Sequence, residues 1–271
     1  MAKLDTNAAW KEASAIVSAN REVLLALAGV FFMLPSLAAA VIAGQPEVIP
    51  GMKPEQMMTV MKAFYARFWW LMLLSLAIQI VGLLAMLTLM RDRSRPTVGQ
   101  AIRSGLPGAL SALVSWILMI VGLSVAGGLL IGVSTVISPI LATVVVLLFV
   151  VTSIYVTVRL ILVAPVVAVE SVFNPLTAMA RSWRLTKGNF WRIFAFVWLI
   201  TILFLLVAAI IMAVIGLVLA VASSGEPQRI IAAVFSSALG AVGAVYFAAV
   251  VAAIHRQLGG PAAADLSATF E

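Results

Sequence analysis

Six long apolar runs divide the chain, near residues 23–43, 68–90, 109–131, 140–163, 191–221 and 230–254. Each is long enough, at about 1.5 Å per helical residue, to cross a hydrocarbon core of about 30 Å. The pattern predicts an all-α membrane protein with six transmembrane helices in one integral membrane domain over 1–271. The fifth run exceeds what a bilayer needs, so its helix should tilt or extend past the core. Pro139 suits the first turn of the fourth span, and Ser223-Ser224-Gly225-Glu226-Pro227 predicts a turn between the fifth and sixth. Ala38-Ala39-Ala40 resembles a leader cleavage region. The stretch before it, however, is long and carries Asp5, Glu12 and Glu22. The first run is therefore expected to stay as a span.

Between the runs lie shorter amphipathic segments. From Pro175 to Lys187, Leu176, Met179, Ala180 and Trp183 fall at i, i+3, i+4 and i+7, one apolar helix face. Asn174 is a suitable N-cap, Pro175 fits the first turn and Gly188 the stop. Its Trp and Arg residues match the headgroup region, so the segment should lie in the membrane interface. After Pro96, Val98, Ala101 and Ile102 share a face that should end at Gly105. Near the start, Ala9, Trp10, Ala13, Ile16 and Val17 share another. Each short helix precedes an odd-numbered span. The layout thus suggests three copies of an interfacial helix followed by a transmembrane hairpin, echoed in Ile102-Arg103-Ser104 and Ala180-Arg181-Ser182. The loop 44–67 should hold a helix opened by Pro54 that runs into span two, with Met57, Met61, Phe64 and Phe68 on one face.

Composition agrees with lipid as the solvent: 64% of the 271 residues are hydrophobic and 10% charged, against about 25% charged in soluble domains. The net charge of +7 is read as attraction to anionic headgroups, with no role for nucleic acid, because the bases sit in short loops between apolar runs. Lys3, Lys11, Arg21, Arg91, Arg93, Arg95, Arg103, Arg159, Arg181, Arg184, Lys187, Arg192 and Arg256 fall in one alternating set of segments. Only Lys53, Lys62, Arg67 and Arg229 fall in the other. By the positive-inside rule both termini are cytoplasmic.

Candidate chemistry is sparse. The chain has no Cys and one His, His255, which excludes thiolate chemistry and any metal site that needs two His ligands. No acid pair, nucleophile–His pair, phosphate-cradling Gly loop or zinc motif appears. No catalytic residue, metal ligand or cofactor is therefore expected. His255 reads as the end marker of span six. Met52, Met57, Met58 and Met61 could offer soft thioethers to Cu(I), but without Cys or His nearby they read as adaptable packing. Gln79 is the one strongly polar side chain deep in a span, where an amide usually bonds a neighbouring helix. Ser124, Gly128 and Gly132, Ala209 and Ala213, and Ser236 and Gly240 recur every four residues, a spacing that suits close helix packing within the chain. Glu170 faces a surplus of base from Arg159, Arg181, Arg184, Lys187 and Arg192, and should pair with one of them. Arg159 can reach it only if Pro165 bends the helix. Such a pair would latch the interfacial helix to span four; alternatively the bases form a pocket for lipid phosphate.

The run Arg159-Leu160-Ile161-Leu162-Val163-Ala164-Pro165, Glu170, Asn174-Pro175-Leu176 and Arg181-Ser182-Trp183-Arg184-Leu185-Thr186-Lys187-Gly188-Asn189-Phe190-Trp191-Arg192 resembles the bacterial glycerophosphoryl diester phosphodiesterase membrane-domain family. The N-terminal helix with Trp10, leading through Asn20-Arg21, is also similar. The catalytic domain fused to that region in some proteins is a metal-assisted barrel, for which this chain lacks room, His and acids. The resemblance therefore implies a stand-alone, non-enzymatic module of a bacterial cytoplasmic (inner) membrane. The expected function is binding of an anionic lipid or a partner membrane protein through Arg159, Glu170, Arg181, Trp183, Arg184 and Lys187. A transporter or channel with a polar cavity near Gln79, and a lipid-modifying enzyme using Glu170, are the alternatives.

Overall fold

The computed structural model describes residues 3–44, 46, 49, 51–91, 98–222 and 225–260, the side chains of 98, 101, 102, 104 and 222 excepted. The predicted Ser223-Ser224 turn, Arg93, Arg95, Pro96 and the side chains of Val98, Ala101, Ile102 and Ser104 lie outside it. The described residues are mostly helical, with no strand among them, and six helical segments are long and apolar enough to span a membrane. The protein is a multi-pass membrane protein.

Helix α1 (Thr6–Ala19) precedes a first span built from α2 (Arg21–Ala28), a π-helical turn (Gly29–Met33) and α3 (Leu34–Ala43). Pro35 explains the turn. It lacks an N–H and its ring crowds the carbonyl of Phe31, so the helix widens just ahead of it. Helix α4 (Pro54–Arg91) forms the second span and α5 (Val98–Ile137) the third. The fourth span is α6 (Pro139–Leu160) followed by α7 (Val163–Val169). After the short α8 (Pro175–Leu185), α9 (Phe190–Ala222) and α10 (Glu226–Gly259) complete the bundle. As predicted, the helix opened by Pro54 runs unbroken into span two, and Asn174 caps α8, its Oδ1 accepting from the Thr177 N–H at 3.1 Å. Gly188 ends the turn after α8 at φ +81°, a conformation that costs a side-chain-bearing residue about 1 kcal/mol.

The core forms where α10 meets α1, α4 and the first span. Along α10, residues 248 to 255 are buried without interruption. A helix apolar on every side belongs inside, and here the small Ala248, Ala249, Ala252 and Ala253 let neighbours approach from all directions. Helix α4 contributes Leu84, Ala85, Met86 and Leu87 to the same core. The spans α5, α6 and α9 are mostly exposed to the surroundings, as lipid-facing helices are.

Three expectations are corrected. Among the described residues no separate interfacial helix stands before span three: α5 begins at Val98 and runs through Gly105 and Pro107. Gly105 is a contact point between helices, since a Cβ there would sit 2.9 Å from the Ala85 backbone nitrogen of α4. Among the described residues the three-unit repeat is therefore uneven, with free-standing short helices before spans one and five and none before span three. The small-residue stripes do not pack the chain together either. Gly128, Gly132 and Gly240 meet nothing within 4 Å, and Ser124, Ala209, Ala213 and Ser236 are exposed. The close contacts use Gly82 against Phe31, Gly127 against Phe149 and Gly243 against Phe204.

Candidate functional site: the basic collar

The ends of α4, α6 and α10 and the starts of α5 and α9 gather at one end of the bundle, joined there by α1, α7 and α8. Long-range polar contacts tie this end together. Most of the predicted site lies here.

Arg159 occupies the last turn of α6 and is only 7% exposed. It does not reach Glu170. The helix breaks at Ile161–Leu162, one turn ahead of Pro165, whose missing N–H cannot serve the Ile161 carbonyl. Arg159 turns instead toward α8. Its Nε donates to the Tyr155 hydroxyl at 3.1 Å, and its Nη1 to the Trp183 carbonyl and Thr186 Oγ1, each at 3.3 Å. The Trp183 carbonyl belongs to the last turn of α8, where acceptors lack helical partners and the dipole is negative. Arg159 thus caps α8. Its guanidinium carbon lies 4.8 Å from the Trp183 ring centroid and 5.3 Å from that of Tyr155, a cation–π setting. Ser182 donates back to the Arg159 carbonyl at 2.8 Å. No carboxylate pairs with Arg159 among the described residues, and its Nη2 donates to none of them.

Glu170 follows α7 and joins three helices. Its Oε2 accepts from Arg181 Nε of α8 at 2.9 Å, and its Oε1 lies 3.1 Å from His255 Nε2 of α10. A carboxylate only accepts, so this ring nitrogen carries the proton. Burial alone would raise the Glu170 carboxyl, but the hydrogen bonds from Arg181 and His255 outweigh it and hold the group below its ordinary value. Glu170 pairs with a base as expected, through Arg181. The reading of His255 as a mere end marker is corrected: its side chain is buried and anchors α10 to Glu170. Ser171, at φ +56°, reverses the chain between Glu170 and α8.

Helix α8 is two-sided. Ala178 and Ser182 face the protein and are buried, whereas Leu176 and Trp183 of the predicted apolar face point outward, as an interfacial helix requires. Arg184 and Lys187 are exposed and form no ion pair among the described residues. The structure therefore divides the six candidates. Arg159, Glu170 and Arg181 are engaged in internal contacts, Trp183 serves both sides, and Arg184 and Lys187 face outward.

Two further clusters escaped the sequence. Arg256 donates to Glu12 Oε1 at 3.0 Å and to the carbonyl of Met90 in the last turn of α4. The buried Leu4 donates its N–H to Asn189 Oδ1 at 2.9 Å, and Arg192 donates to the Leu4 carbonyl at 3.1 Å. Asp5 N–H donates to Gln257 Oε1 at 3.0 Å. Only Asp5 carried a visible signal, as N-cap of α1, accepting from the N–H groups of Asn7 and Ala8.

Beside the collar lies a cavity of about 330 Å³ between α5, α6, α9 and α10, lined among others by Trp116, Ile154, Ile161, Phe194, Trp198 and Phe247. Gln79, half-buried in α4, is not among its lining residues.

Residues 133–258 match the family model described as the membrane domain of glycerophosphoryl diester phosphodiesterase. The matched stretch runs from the end of α5 almost to the end of α10 and contains all six candidate residues. The resemblance read at 159–192 falls inside it; the similarity noted around Trp10 lies outside. No curated protein and no solved structure matches the chain.

Proposed function

From the match of residues 133–258 to that membrane-domain family, we propose that the protein is a non-catalytic module of a bacterial cytoplasmic membrane that holds anionic phospholipid at its collar. Both termini and the collar are on the cytoplasmic side. The carrying observation is that Arg184 and Lys187, at the exit of an interfacial helix, are exposed and form no ion pair among the described residues. Outward-facing Leu176 and Trp183 supply the apolar anchor beside them. Basic groups at a membrane surface are worth about 1 kcal/mol each toward anionic lipid. Removing both should cost about 2 kcal/mol, or roughly 30-fold in affinity. Native mass spectrometry of the gently extracted protein, titrated with phosphatidylglycerol, measures this. Arg184→Ala/Lys187→Ala should lose most of the retained lipid without change in thermal stability. Wild-type retention in a folded double variant would end the proposal.

A further inference from the structure

The cavity between α6 and α9 opens in the collar half of the bundle. Its walls are the last turns of α6, with Ile154 and Ile161, and the first turns of α9, with Phe194, Val197, Trp198 and Thr201. Positions 194, 197, 198 and 201 fall on one helix face and span about 10 Å along the axis. The lining is almost wholly apolar. Two of its few hydroxyls are already satisfied by their own helices, Thr201 Oγ1 donating to the Val197 carbonyl and Ser115 Oγ to that of Ser111, each at 2.8 Å. Such a slot offers a polar solute few partners and an alkyl chain continuous contact.

The slot is joined to the collar by a chain of rings. Trp183 meets Tyr155 at 5.7 Å between centroids, Tyr155 meets Phe190 at 4.8 Å, Phe190 meets Phe194 at 6.0 Å and Phe194 meets Trp198 at 5.7 Å. Phe194 lies one turn, about 6 Å, along α9 from Phe190, and Lys187 precedes Phe190 by three residues. Exposed cations therefore stand above the rim and an apolar slot lies below it, the order of groups in a phospholipid. Arg159 adds buried positive charge at the same level, with no carboxylate partner among the described residues and Nη2 without an acceptor there.

We propose that the slot seats one acyl chain of a collar-side phospholipid whose anionic headgroup rests at Arg184 and Lys187. The headgroup half of this rests on the function proposed above; the chain half does not. Val197→Trp fills the slot, and Leu203→Trp places the same ring on the exposed face of α9 as a control. In native mass spectrometry with phosphatidylglycerol, Val197→Trp should lose retained lipid at least tenfold and Leu203→Trp should keep it. Equal retention by both folded variants overturns the slot. If Val197→Trp loses lipid while Arg184→Ala/Lys187→Ala does not, the slot stands and the collar reading falls. Where Val197→Trp does not fold, wild type and Trp198→Phe are compared in vesicles of equal parts phosphatidylcholine and chain-brominated phosphatidylglycerol. The quenching lost in Trp198→Phe is compared with that lost when the phosphatidylcholine carries the bromines instead; a greater loss with brominated phosphatidylglycerol supports the slot, and an equal loss overturns it.

Discussion

Arg159 is a buried cation whose partners are a phenol, a carbonyl, a hydroxyl and two ring faces. A planar guanidinium can serve all of these at once, and an ammonium cannot. Arg159→Lys should therefore destabilise the protein by about 2 kcal/mol and speed hydrogen exchange at the end of α8. Unchanged exchange there would mean that Arg159 does not cap that helix. At Glu170, truncation to Ala strands a buried His255 Nε2–H and should cost about 1–3 kcal/mol in thermal or denaturant unfolding. Glu170→Gln keeps an acceptor and should cost less. The pH dependence follows from the lowered Glu170 carboxyl, which faces Arg181 and His255. A carboxyl with a depressed folded value gives stability that is complete above its ordinary 4.5 and is lost as pH falls through the folded value. The advantage of wild type over Glu170→Gln should thus be level near neutrality and shrink below pH 4.5. An advantage that persists unchanged well below pH 4.5, where Glu170 is protonated, would contradict the assignment. Glu170 could be read as paired from its isolation among bases. His255 could not, because the second contact comes from a helix 85 residues away.

Among the elements, the short helices differ in what surrounds them. The α8 boundaries were legible because local chemistry sets them: an Asn cap, a Pro in the first turn and a Gly stop. The boundary expected at Gly105 used the same glycine logic and failed, since that glycine serves a neighbour. Sequence alone does not separate a glycine that ends a helix from one that admits another backbone. The contrast is measurable. Gly105→Ala should destabilise by about 1–3 kcal/mol through overpacking against Ala85. Gly128→Ala, in open space, should be neutral or stabilising by up to about 1 kcal/mol from helix propensity. Equal effects in a thermal unfolding assay would show that Gly105 does not serve a close helix contact that Gly128 lacks. The outward-facing small-residue stripes make the same point, because spacing shows that a close approach is possible and never with which helix.

At the scale of the molecule, α4 and α10 are the most buried spans, and one end of the bundle is tied together by arginines. Arg159 and Arg256 both reach C-terminal carbonyls of other helices, where a cation is favoured by the helix dipole. Much of the basic surplus at this end therefore works inside the protein. Arg184 and Lys187, exposed beside Trp183, suit the lipid-retention experiment, in which Arg181 would confound headgroup binding with loss of the Glu170 latch.

The number of apolar spans and the clustering of base at one end follow from the chain alone. Hydrocarbon admits only long apolar helices, and the arginines and lysines stay at their ends. The sequence also sets α8, through its own caps. Tertiary structure decided which residues work together. Arg159 chose α8 over Glu170 because the helix breaks one turn before Pro165, and His255 became a partner because α10 is the central helix. The slot beside α6 and α9 is lined from α4, α5, α6, α9 and α10 together. Each outcome depends on contacts between positions far apart in sequence, set by how apolar faces and glycines pack in three dimensions, which no local pattern encodes.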